Sequence, residues 1–142
     1  MKKLILNKEF VVRYLGVAAL FLGLGGWFAY DGFVAYPKMT PAELYKSIEK
    51  SDPQTDEQAE KVYKNAIQRQ KEFMTLAILA SLFLVYRVWS ISGQTIPEGK
   101  AEEIDKRDWE KKGIARVKID GRWYTLDTWH HSNAKELFDF FA

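Results

Sequence analysis

Cysteine is absent from the 142 residues, and histidine occurs only twice. Without a thiol the chain has no disulfide framework, no thiolate nucleophile and no cysteine-based zinc or iron–sulfur site. Charge is missing from the whole stretch YLGVAALFLGLGGWFAY, Tyr14 to Tyr30. At about 1.5 Å per residue this run, extended by Val11, Val12 and a snorkelling Arg13, matches a hydrocarbon core of roughly 30 Å. A second apolar run, FMTLAILASLFLVYRVWSISG, is free of charge from Phe73 to Tyr86. It spans if Arg87 lifts its guanidinium to the interface, with Tyr86 and Trp89 as belt residues. Neither run holds a histidine or cysteine to ligate haem, and no strongly basic patch calls for nucleic acid. No cofactor or metal is expected.

The basic start MKKLILNKEF followed by an apolar run resembles a secretory signal. The run is longer than a usual signal core and lacks a small-x-small cleavage site, so an uncleaved anchor is expected. Net charge is only +2, but its placement is informative. Lys2, Lys3, Lys8 and Arg13 flank the first run and Arg87 marks the far end of the second, which by the positive-inside tendency puts both termini in the cytoplasm. The expected organisation is a basic cytoplasmic tail over 1–9, a transmembrane helix over 10–31, an outer helical hairpin over 32–72, a second transmembrane helix over 73–93 and a small module over 94–142. The fold class is thus an α-helical membrane protein, an antiparallel pair of spans with a small cytoplasmic α+β tail. Its expected place is the inner membrane of a bacterium.

In the outer loop, Thr40 caps a short helix, with Pro41 in its first turn and Glu43 closing a capping box. SDPQ breaks the chain, and Thr55 with Gln58 repeats the signature. Ala59, Val62, Tyr63, Ala66 and Ile67 then follow the helical period, which predicts one uninterrupted helix from about Asp56 to about Ser90. Leu44, Tyr45 and Ile48 are expected to cover its apolar stripe. Within the spans Gly16, Ala19, Gly23 and Gly26 fall along one face, and Ala77 and Ser81 form a small-xxx-small pair. Small residues let helices approach closely in lipid. The plain expectation is that these two faces pack on each other; the sharper one is that the glycine face receives a helix of another subunit. Asp31 falls at the outer interface, where it reaches headgroups or water.

After SGQTIPEGK the composition turns polar. IARVKIDGRWYTLD is a hairpin signal, with Asp120-Gly121 as the two-residue turn. Counting outward pairs Ile119 with Arg122, Lys118 with Trp123, Val117 with Tyr124, Arg116 with Thr125 and Ala115 with Leu126. One face carries Ala115, Val117, Tyr124 and Leu126; the other carries Arg116, Lys118, Trp123 and Thr125. A closing helix follows, capped by Ser132 or Asn133, with Ala134, Leu137, Phe138 and Phe141 as its apolar stripe. An earlier strand over about Thr95 to Ile104 and a turn near Asp108-Trp109 complete the module.

The run EEIDKRDWEKKGIARVKIDGRWYTLDTWHHSNAKELFDFF resembles the last part of bacterial PH-like domains of membrane proteins, on its D-G turn, LD strand end and C-terminal amphipathic helix. The resemblance covers about a third of the chain and implies a binding or scaffolding module. It carries no catalytic motif. His130 and His131 are adjacent, so in extended backbone they point to opposite faces and do not share an ion. Asp127 is positioned to orient His130 if the chain turns there; otherwise the two histidines are read as surface or capping residues. The functional expectation is a non-enzymatic accessory or scaffold subunit of a larger membrane complex, with the lipid bilayer and other membrane-protein subunits as partners. The alternative is a membrane-tethered module that binds anionic lipid headgroups or a soluble partner through Arg116, Lys118, Arg122 and Trp123.

Overall fold

The computed structural model describes residues 2–142. It is mostly helical, with two helices long and apolar enough to cross a membrane, a small antiparallel sheet and a C-terminal helix. The chain divides into two units, Val17–Phe83 and the combination of both chain ends, 2–16 with 84–142. Two long helices run through both: α1 (Lys8–Tyr30) and α3 (Asp56–Ser92).

In the first unit α1 and α3 lie antiparallel. Ser81 Oγ donates to the Ala18 carbonyl at 2.9 Å, while further along a Cβ at Gly25 would meet Ile78 and Ala77, and one at Gly32 would meet Gln70. The seam on α1 and the turn that follows it is therefore Ala18, Gly25 and Gly32, a seven-residue repeat of small residues, with Phe28 against Phe73 at 5.4 Å between ring centroids. A strict seven-residue repeat is what keeps one face of a helix turned toward its neighbour. Ala77 and Ser81 are buried as expected, but against a different face of α1.

Beyond Tyr30 the chain widens into a π-helical turn, Asp31–Ala35, and tightens into a 3-10 turn, Tyr36–Lys38. Asp31, which opens the π-turn, is half-buried. Helix α2 (Pro41–Glu49) starts where Thr40 Oγ1 accepts from Glu43 N at 3.2 Å, and stops at Lys50, whose φ of 56° is left-handed. At the start of α3, Thr55 Oγ1 accepts from Gln58 N, and the Gln58 side chain in turn accepts from Gln54 N rather than from Thr55. Leu44, Tyr45 and Ala59 are buried; Ile48 is not, so α2 uses only part of its expected apolar face.

The second unit is an α+β module assembled from both chain ends. β1 (Lys2–Lys3) pairs antiparallel with β2 (Thr95–Ile96), and a three-stranded antiparallel sheet follows in the order β3 (Glu103–Asp105), β4 (Ile114–Ile119), β5 (Arg122–Asp127). The β4–β5 register has all five expected pairs and adds Ile114 with Asp127. Asp120 (φ 52°) and Gly121 (φ 78°) are both left-handed, as a two-residue primed turn requires. The single strand expected over Thr95 to Ile104 is instead two short strands serving different sheets. Pro97 has no amide hydrogen to sustain a ladder, and Gly99 stands two residues beyond it. The expected turn at Asp108-Trp109 is one helical turn, α4 (Trp109–Lys112), stopped by Gly113 in left-handed backbone. Helix α5 (Ala134–Phe141) lays Ala134, Leu137 and Phe138 into a core with Leu4, Ile96, Ala115, Val117, Ile119 and Leu126. Trp109 stacks on Phe138 at 4.1 Å.

Residues 2–7 are thus not a free basic tail. Leu4 is buried in the module core, and Leu6 forms a β-bridge with His131.

Candidate interaction surface

The exposed side of the three-stranded sheet is built by alternation. Register places Arg116 opposite Asp105 and Lys118 opposite Glu103 on one flank, and opposite Thr125 and Trp123 on the other. Each basic residue therefore has an acidic cross-strand neighbour. The Arg116 guanidinium lies 5.2 Å from the Trp123 ring centroid, a cation–π arrangement. Asp105 also holds Arg107 in a fork, with Nε donating to one carboxylate oxygen at 3.0 Å and a terminal nitrogen to the other at 2.8 Å. Those hydrogen bonds lower the Asp105 pKa to about 2. Arg122 pairs with Ile119, so by strand alternation it stands on the side opposite Trp123. The four residues Arg116, Lys118, Arg122 and Trp123 do not form one basic face; the surface around Trp123 is charge-balanced.

On α1, Gly16, Gly23 and Gly26 have no atom within 4 Å of where a Cβ would stand, apart from their own helix and chain neighbours. Ala19 is exposed as well. At about 100° per residue, Gly16 and Gly23 lie roughly 200° around the helix from Ala18 and Gly25. Ala19 and Gly26 directly follow the seam residues and lie about 100° round from them, so Gly16 and Gly23 alone stand back to back with the seam, and among the described residues only the seam packs on α3.

The Asp127–Asn133 segment differs most from its expectation. Asp127 Oδ1 accepts from Trp129 N at 2.9 Å, which turns the chain, and its other oxygen lies 2.8 Å from His130 Nδ1. His130 is accordingly half-buried and oriented by Asp127. His131 is a correction: it is 2% exposed, not a surface residue. Its Nε2 lies 3.4 Å from the Ile91 carbonyl, and Nδ1 is buried without a partner among the described residues. Burial lowers its pKa.

The same segment holds the N-terminal arm. Asn7 N donates to the His130 carbonyl, Ser132 N to Ile5, and Asn7 Nδ2 to Thr128. Asn133 occupies the cap position of α5 but makes no capping bond. Its side chain instead accepts from Ile5 N and donates to the Lys3 carbonyl, both at 2.9 Å. Phe10, fully buried, closes this clasp against the His130 and Trp129 rings, and Arg13 stands over Trp129 at 5.0 Å. In the sequence Leu4, Ile5 and Leu6 are an unbroken apolar triplet, and only the fold separates them, burying Leu4 and leaving Ile5 exposed.

No protein family, curated protein or solved structure matches this chain. The three-stranded sheet, in the order β3-β4-β5, does not close into a barrel.

Proposed function

We propose that this chain is a two-span membrane protein of the bacterial inner membrane, with both termini in the cytoplasm, acting as a non-catalytic accessory or scaffold subunit of a larger membrane complex. The observation that carries the membrane reading is the apolar surface the fold leaves open. Leu20, Trp27, Leu76 and Phe83 are each more than 60% exposed. Water does not tolerate such a surface on two long helices, whereas lipid or neighbouring helices cover it. The shared module of both chain ends supports placing both termini on one side.

The subunit role rests on the unused residues Gly16, Ala19, Gly23 and Gly26, of which Gly16 and Gly23 point away from α3 and offer close backbone approach to another helix. The acidic partners of Arg116 and Lys118 favour a protein partner over anionic headgroups at the sheet. Purification of the intact protein in mild detergent tests this. Co-purifying membrane proteins are expected, and Gly23→Leu is expected to release them. Unchanged association in Gly23→Leu refutes the role of this face.

A further inference from the structure

We propose that the outer edge of β5 receives a single extended segment of a partner polypeptide, which adds to the sheet as a sixth strand of the module. The inference deepens the accessory-subunit reading and rests on it for the nature of the partner.

A two-residue turn bonds Ile119 to Arg122 through both backbone pairs, so Arg122, Tyr124 and Leu126 direct their N–H and C=O groups to β4. Trp123 and Thr125 direct theirs outward. β5 pairs with β4 alone, and none of these four outward groups has a partner among the described residues. The rest of the sheet obeys the same parity. Lys118 accepts from Glu102 N on the other side of β4, and Asp127, next outward on β5, accepts from His131 N. This edge carries no proline, no bulge and no covering helix, the devices that normally blunt an open strand.

The edge also borders a hollow lined by Leu4, Gln94, Thr95, Trp123, Tyr124 and Thr125. One wall is β5; the other is the β1–β2 ribbon. Because the hollow has residues of a second segment beyond the strand edge, a single extended chain is favoured over the edge of a second sheet, and so a peptide segment over a second copy of this chain. Backbone pairing sets the affinity, and alternate side chains of the incoming segment meet Tyr124 on one face and Trp123 on the other. None of the six lining residues is acidic, while exposed Lys3 registers against Thr95 and exposed Arg122 precedes Trp123. The segment is therefore an alternating apolar one with acidic side chains at its flanks.

The test uses the full chain in detergent and a displayed library of random short peptides. Selected peptides are expected to show the period-two apolar pattern with flanking acids, and to protect the Trp123 and Thr125 amides from hydrogen exchange. Thr125→Pro, which removes an outward N–H and none bonded to β4, is expected to weaken binding by roughly tenfold or more. Methylating alternate backbone nitrogens of the peptide itself provides a measure independent of folding: one parity abolishes binding and the other leaves it. Absence of binders, equal sensitivity at both parities, or protection elsewhere on the module overturns the proposal. So does a dimer of the protein that Thr125→Pro dissociates, which assigns the edge to a second copy. Selected peptides that bind the Thr125→Pro protein as tightly as the unaltered chain refute the edge and leave the accessory role standing; peptide binding without any co-purifying subunit does the reverse.

Discussion

Gly113, His131 and Asn133 each do something that a neighbour in sequence does not. Gly113 combines a φ of 66° with a position where a Cβ would collide with the Thr128 hydroxyl. Gly113→Ala is expected to destabilise the module by about 1–2 kcal/mol from the left-handed backbone alone, with the collision adding to it, as read by thermal unfolding in detergent. His131 is held neutral by burial. Its Nδ1 has no acceptor among the described residues to receive a proton, and the neighbouring His130 disfavours a second positive charge while Asp127 partly offsets this. A histidine with a lowered folded pKa contributes stability that is fully present above its unfolded value, near 6.5, and is lost as pH falls from there toward the folded pKa. Exchange of the Ser132 amide, which bonds the N-terminal arm, is expected to accelerate over that window, and His131→Phe to flatten the dependence. Asn133 is better described as a staple than a cap. With two bonds at about 0.5–1.5 kcal/mol each, Asn133→Ala is expected to loosen the arm by roughly 1–3 kcal/mol while α5 persists. Faster tryptic cleavage after Lys3 and Lys8, with unchanged helicity, is the readout.

The helices and the hairpin are the elements in which local chemistry agrees with the final structure. Thr40 and Thr55 start helices because their hydroxyls satisfy amides within one turn, and Asp120-Gly121 sets a register because only a primed turn matches the strand twist. Such features were legible because their causes lie within a few residues. The seam between α1 and α3 was not, because Gly16–Gly23 and Ala18–Gly25 share one spacing and sequence alone does not distinguish which faces the partner helix. The pairing of β2 with the arm at Leu4 was obscured for another reason: it joins residues about ninety apart in the chain. The two glycine faces separate cleanly by mutation. A Cβ at Gly25 would stand 3.3 Å from Ile78, so Gly25→Leu is expected to overpack the helix pair by about 1–3 kcal/mol. Gly23→Leu is expected to leave the thermal stability of the isolated protein unchanged. Destabilisation by Gly23→Leu with Gly25→Leu neutral would mean that the helices pair through the other face.

At the scale of the molecule, the ends of the chain meet. Reporters fused at Lys2 and after Ala142 are expected to be accessible from the same side of the membrane, and opposite accessibility would be incompatible with β1 pairing to β2 in an inserted protein. Removing residues 1–6 is expected to uncover the core around Ile96 and to make the C-terminal half protease-sensitive, although that half retains every strand of the larger sheet.

The clasp between the arm and Ile96, His130 and Asn133 also imposes an order of events during synthesis. Leu4 is made first and its partners last, and at about 5–20 residues per second the ninety residues to β2 take roughly 5–20 s. Throughout that interval the first strand waits without its mate, flanked by Lys2, Lys3 and Lys8, whose charges oppose premature association. The module closes only when the second long helix is complete, so a closed clasp reports that both have been made.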